Sequence, residues 1–199
     1  MLPIFMSKYF TYKNANIHYS TKGKGALIIL IHGFLEDLSI WSDTSKYLSN
    51  NYQVALIDLP GHGKSDCLGY VHSMELMAET ILQLMKTLKK RKCHLVGHSM
   101  GGYVALAFAE LHPDKVKSLS LVCSNARADK PEKKRERTKA IQLVKTKKEL
   151  FVEIAVPELF NYNLKTNLAG IKRIKKIAHK TSIQGTIAAI SGMRDRYER

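Results

Sequence analysis

The sequence predicts an α/β fold, a doubly wound and mostly parallel sheet followed by a purely helical segment. Three observations carry this. Apolar β-branched runs at Ala26–Ile31, Gln53–Ile57 and Cys93–Val96 have the continuous hydrophobicity of strands covered on both faces. Amphipathic helical patterns separate them, and the β-α-β-α-β alternation implies right-handed crossovers between parallel strands. Beyond Asn125 the strand-like runs stop and four helical patterns follow.

Taken in order, Lys8–Lys13 and Asn16–Thr21 read as a hairpin joined by a turn at Asn14-Ala15, and Gly23-Lys-Gly25 breaks the chain before the first central strand. A helix is expected over Ser39–Leu48, then the strand Gln53–Ile57. From Met74 to Leu88 the residues Leu76, Met77, Ile81, Leu84, Met85 and Leu88 recur at three- and four-residue intervals, which marks an amphipathic helix. Its basic end, Lys89-Lys-Arg-Lys92, complements the helix dipole. A further strand spans Val116–Val122. Helices are expected over Pro131–Lys148, Glu149–Phe160, Leu168–Lys180 and Ser182–Met193. This divides the chain into a core, residues 1–125, and a helical insertion, residues 126–199.

At 199 residues, with 45% hydrophobic and 25% charged residues, the composition is that of a globular domain. Cys67, Cys93 and Cys123 are odd in number and widely spaced, which suits reduced thiols and indicates neither a disulfide framework nor a metal site. Met1–Met6 is too short for a signal core and no apolar run is long enough for a membrane span, so a cytoplasmic protein is expected. The net charge is +15, and 19 of the 32 Lys/Arg but 8 of the 17 Asp/Glu follow Asn125, so that segment carries +11. Its cations interleave with apolar residues at helical spacing, as Lys172, Arg173, Lys175 and Lys176 do with Ile171, Ile174, Ile177 and Ala178. That pattern reads as a solvated basic helix face. No nucleic-acid motif accompanies it, which argues against nucleic acid as a partner.

Gly97-His-Ser-Met-Gly-Gly102 is the segment that carries chemistry. It follows a strand, opens a helix, and places small residues on both sides of Ser99, as a strained strand-to-helix turn requires. A nucleophile is expected at Ser99. His98 is expected to point away from Ser99 and to pack beside its strand. His32 is read as bracing the loop after the first central strand, Asp58 and His62 as bracing their own turn, and Trp41 as core.

Three segments, His32-Gly-Phe34, Asp58-Leu-Pro-Gly-His-Gly-Lys-Ser65 and Gly97–Gly102, together resemble the α/β-hydrolase family in order and spacing, in particular its small cap-bearing esterases and lactonases. The resemblance implies an acyl-enzyme on Ser99 and an oxyanion hole from the backbone N–H groups of Phe34 and Met100, whose side chains would line the acyl pocket. It implies a small-molecule acyl substrate and no cofactor, and makes residues 126–199 the family's helical cap. Serine at position 99 argues against the branches that use a carboxylate nucleophile.

In that family the acid and then the histidine follow the cap on loops after later strands. No counterpart matches here, so the chain is expected to be a C-terminally truncated hydrolase, inactive or weak as it stands, with the edge at Val116–Val122 exposed. Asp129 and His179 are the substitutes left to weigh; His112 and Asp114 precede a strand and belong at the opposite sheet edge. The alternative is a catalytically silent binding or scaffold protein with a basic cap. Substrate identity and oligomeric state are not legible.

Overall fold

The computed structural model describes residues 6–160 and 164–199, so the segment through Phe5, read above as no signal core, lies outside the described residues. Among the described residues six strands form one sheet: β1 (Met6–Tyr12), β2 (Ala15–Lys22), β3 (Leu27–Ile31), β4 (Gln53–Ile57), β5 (Cys93–His98) and β6 (Val116–Val122). Their order is β1-β2-β4-β3-β5-β6. The pairs β4/β3, β3/β5 and β5/β6 are parallel; β1/β2 and β2/β4 are antiparallel. The helices are α1 (Ser42–Leu48), α2 (Met74–Thr87), α3 (Met100–Leu111), α4 (Pro131–Glu158), α5 (Leu164–Ala178) and α6 (Ile183–Arg194).

Strand alternation divides the core. Leu27, Ile29 and Ile31 of β3 pack with Met77, Ile81, Leu84 and Val104 from α2 and α3. Ile28 and Leu30 face the other way, onto Trp41, Val54 and Leu56. Both sheet faces are therefore covered, which is why these strands read as unbroken apolar runs. Ile31 pairs with both Ile57 and Gly97, so β3, β4 and β5 end together. The loops beginning at His32, Asp58 and Ser99 leave from one edge, where open α/β sheets place their sites.

Three local expectations change. The hairpin turn is Lys13-Asn14, both at positive φ (47° and 63°), which leaves Ala15 in β2. The helix expected from Ser39 begins as a 3₁₀ turn, Leu38–Trp41, capped by Asp37 Oδ1 accepting from the Ser39 N–H, and becomes α-helical at Ser42. The two helices expected from Pro131 run together as α4, with non-helical geometry at Lys147 (φ −144°, ψ 56°) beside the expected break. Next to this kink, buried Lys148 donates from Nζ to the carbonyls of His179 and Thr181, both at 2.7 Å. It thereby satisfies backbone oxygens just past the end of α5.

The segment after Asn125 packs onto the core through close contacts. The His72 N–H donates to the Ala188 carbonyl (3.0 Å), and Gly185 and Gly192 of α6 lie where a Cβ would strike the backbone of Gly61 and His72. On α5, Ile171, Ile174 and Ala178 are buried, as the helical spacing predicts. The Arg199 N–H donates to the Ala126 carbonyl at 2.9 Å, and its guanidinium pairs with Glu75 and Glu110. Within the described residues β6 pairs only with β5, and Leu121 and Val122 are exposed. No helix among the described residues is long and apolar enough to cross a membrane.

Candidate functional site

The turn between β5 and α3 holds Ser99 at φ 50°, ψ −116°, a conformation that costs a non-glycine residue about 1–3 kcal/mol. Surrounding bonds hold it there. The Ser99 N–H donates to the Val122 carbonyl (2.9 Å), while its own carbonyl accepts from the Gly102 N–H (2.9 Å) and Ser124 Oγ (2.8 Å). Close packing leaves no room for larger neighbours: a Cβ on Gly97 would overlap Gly101 and Gly102, and one on Gly101 would overlap the Ile31 and His32 carbonyls. Because α3 starts at Met100, its N-terminal dipole and unpaired N–H groups lie directly after the serine.

The loop after β3 supplies the opposite wall. His32 is fully buried; its Nδ1–H donates to the Gly33 carbonyl (2.7 Å) and its Nε2 accepts from the Leu59 N–H (3.0 Å). This fixes the tautomer and ties the loops after β3 and β4 together, the bracing role read from the sequence. Glu36, 7% exposed, accepts from the Gly33 N–H (2.6 Å) and from His98 Nδ1 (2.9 Å) through one oxygen. Leu35 takes a positive φ of 60° inside this bend. Asp58 accepts from the Leu38 and Lys64 N–H groups, and Ser65 Oγ donates to its carbonyl, so Asp58 braces its turn as expected. His62, wholly buried beside the Phe34 ring, is pushed down to about 3 by burial and by His32.

Ser99, Phe34, His98, Trp41, Arg173 and Met193 are among the residues that line a cavity of about 670 Å³ between the sheet edge and the helices after Asn125. The Phe34 side chain lines this cavity. Met100 does not: its side chain is fully buried in the core, because the first turn of α3 directs it under the sheet, and only its backbone is left for the site. His98 also departs from expectation. It lines the cavity beside Ser99 and pairs with Glu36, a partner 62 residues away that local spacing does not reveal.

The Glu36 hydrogen bond raises the His98 pKa against the opposing effect of burial. A raised imidazole pKa stabilises the fold below the unfolded value near 6.5 and ceases to do so as pH rises through the folded value. Glu36→Gln is accordingly expected to lower the His98 pKa, since burial remains when the carboxylate is gone. An NMR titration of the His98 ring measures this, and an unchanged midpoint would refute the pairing.

Neither substitute for a triad partner reaches Ser99. Asp129 is enclosed by Arg137 and Arg196, and His179 Nε2 pairs with Glu153 (3.0 Å) on the surface. Among the described residues no side chain hydrogen-bonds the Ser99 hydroxyl, and no cluster of three His, Cys, Asp or Glu forms that could hold a metal ion.

Comparison with known proteins agrees with this architecture. Residues 26–146 match the family model of the alpha/beta hydrolase fold. The chain is 42% identical over 100 residues to the dihydrolipoyllysine-residue acetyltransferase component of the acetoin cleaving system of Pseudomonas putida, covering 50% of this chain and 27% of that protein. It is 39% identical over 107 residues to the pimeloyl-[acyl-carrier protein] methyl ester esterase of Methylococcus capsulatus, covering 54% and 40%. Among solved structures, a thermophilic esterase from Thermogutta terrifontis superposes with a TM-score of 0.86 at 29% identity, over 98% of this chain and 74% of that one. The matched region thus spans between a quarter and two fifths of these two curated relatives. With the strained serine turn, the braced loop after β3 and this match in hand, the chain belongs to the α/β-hydrolase fold family.

Proposed function

We propose that this chain carries the nucleophile and oxyanion machinery of a serine-dependent hydrolase acting on a small-molecule carboxylic ester, thioester or lactone. The observation that carries the reading is the strained Ser99 backbone at a helix N-terminus, opening beside Phe34 into the cavity. Ser99 Oγ attacks the acyl carbonyl, the alcohol or thiol departs, and water hydrolyses the acyl-enzyme. The backbone N–H groups of Phe34 and Met100 donate to the developing oxyanion, and the Phe34 ring contacts the acyl chain. Residues 126–199 serve as the cap over the site.

With no imidazole hydrogen-bonded to the Ser99 hydroxyl among the described residues, and His98 paired to Glu36 instead, turnover by the 199-residue chain is expected to be weak. The same observation favours the second reading, a silent binder on the hydrolase fold. A fluorophosphonate probe followed by peptide mass mapping separates the two. The proposal expects the adduct on the Ser99 peptide and none there in Ser99→Ala. A folded chain that binds ligand yet leaves Ser99 unmodified would replace the hydrolase reading with the binding one.

A further inference from the structure

A second serine has what Ser99 lacks. On β1, Ser7 Oγ lies 2.6 Å from His18 Nε2, and His18 Nδ1 lies 2.7 Å from Asp58 Oδ2. Ser7 is exposed, whereas His18 and Asp58 are 4% and 2% exposed. We infer that Ser7, His18 and Asp58 form a second nucleophilic site, at which Ser7 accepts an acyl group from small activated esters.

The orientation of each group follows from its bonds. Asp58 is held on both oxygens, Oδ1 by the Leu38 N–H (2.8 Å) and Oδ2 by the Lys64 N–H (2.9 Å), so the carboxylate cannot turn away from the imidazole. Burial acts to raise its pKa, but the His18 hydrogen bond, nearby His32 and the two backbone donors outweigh burial and keep it ionised. An ionised acceptor at Nδ1 places the ring proton there and leaves Nε2 as the base facing Ser7. The Tyr9 ring, 5.1 Å from the imidazole centroid, flanks His18 from the same strand as Ser7.

The open edge of the sheet also leaves one backbone donor next to the Ser7 hydroxyl. The His18 N–H donates to Ser65 Oγ and its carbonyl accepts from Asp58 N, so both point towards β4 and the Tyr9/His18 pair is non-hydrogen-bonded. Ser7 pairs with Ser20 two residues along, hence with the same geometry, and its N–H points out from the open edge of β1. Across from Ser7, the buried Ser20 hydroxyl has no hydrogen-bond partner among the described residues.

In the reaction the Ser7 Oγ–C bond forms as the C–O bond of an aryl ester breaks. The Ser7 proton passes to His18 Nε2 and then to the departing phenolate, leaving O-acyl Ser7 and a neutral phenol. Because Ser7 lies open on an edge strand, the leaving group and not a shaped pocket selects the donor.

The test uses Ser99→Ala, which removes the nucleophile proposed above, so this result is independent of that reading. Treated with p-nitrophenyl acetate and mapped by mass spectrometry, folded Ser99→Ala is expected to carry one acetyl group on the Ser7 peptide. Ser7→Ala/Ser99→Ala is expected to carry none there, and urea-unfolded Ser99→Ala should leave Ser7 unmodified. His18→Gln is expected to slow acetylation roughly 100-fold, the usual contribution of a positioned general base. His18 also holds the Asp58 turn; if His18→Gln does not fold, the folded-versus-urea comparison carries the test. An unacetylated Ser7 in folded Ser99→Ala would overturn the inference, as would equal rates in urea or in folded His18→Gln.

Discussion

Gly101→Ala is expected to destabilise the chain by about 3 kcal/mol, near the upper end of what one added methyl group costs in a packed core. The new Cβ would overlap the Ile31 carbonyl and approach the His32 carbonyl oxygen to 2.6 Å. Both obstacles are main chain of the central strand and its exit, so no rotamer change relieves them. Relief requires α3 to move away from β3, which would also shift the Met100 N–H proposed above as an oxyanion donor. A shift of the urea midpoint with an unchanged slope would report the stability loss. Slower labelling of Ser99 at temperatures where the variant is still folded would report the displaced N–H group. A variant as stable as the parent would show that the helix is not fixed against the strand by this contact.

The second large effect is expected at Asp129. Its carboxylate sits between Arg137 and Arg196, with the Arg196 pair at 2.7 Å, and the Asp129 and Arg196 side chains are 6% and 4% exposed. Arg196 also stacks on Tyr103, its guanidinium carbon 3.9 Å from the ring centroid. Asp129→Ala leaves two cations facing each other out of water, a change that costs about 3–5 kcal/mol. Asp129→Asn should cost nearly as much, because it preserves shape and removes charge. Burial raises the Asp129 pKa, but the two arginines overcome this and hold it below the usual 3.8. A depressed carboxylate stabilises the fold above that value and ceases to as pH falls through the folded one. The parent should therefore lose stability to Asp129→Asn's level in acid below about pH 4, as thermal melts across pH would reveal. Equal stability of parent and variant at neutral pH would refute the cluster's role.

Much of the framework was legible because periodicity reports burial. The strand bounds at Gln53–Ile57 and Val116–Val122 and the start of the helix at Met74 follow from apolar spacing alone. Ser99 was legible because glycine is needed on both sides of so tight a turn. What escaped depended on partners distant in sequence. Nothing near His98 announces Glu36, and nothing near Asp129 announces Arg196. Ser7 is a lone serine until the hairpin brings it against His18, whose carboxylate partner lies 40 residues further on. The turn at Lys13 was missed for a different reason: lysine rarely takes positive φ, so the asparagine beside it drew the reading one residue late.

The hydrogen bond between Arg199 and Ala126 means that the chain leaves the core and returns to it at almost the same point. Whatever lies between these residues behaves as a side loop whose ends already meet. Its length and sequence can then change without altering the spacing of the strands beneath. Lengthening such a loop adds little closure entropy, since the cost grows only with the logarithm of its size. Under the hydrolase reading proposed above, another family member's helices spliced in at Ala126 and Arg199 would redraw the cavity roof while Ser99 and its loops stayed in place.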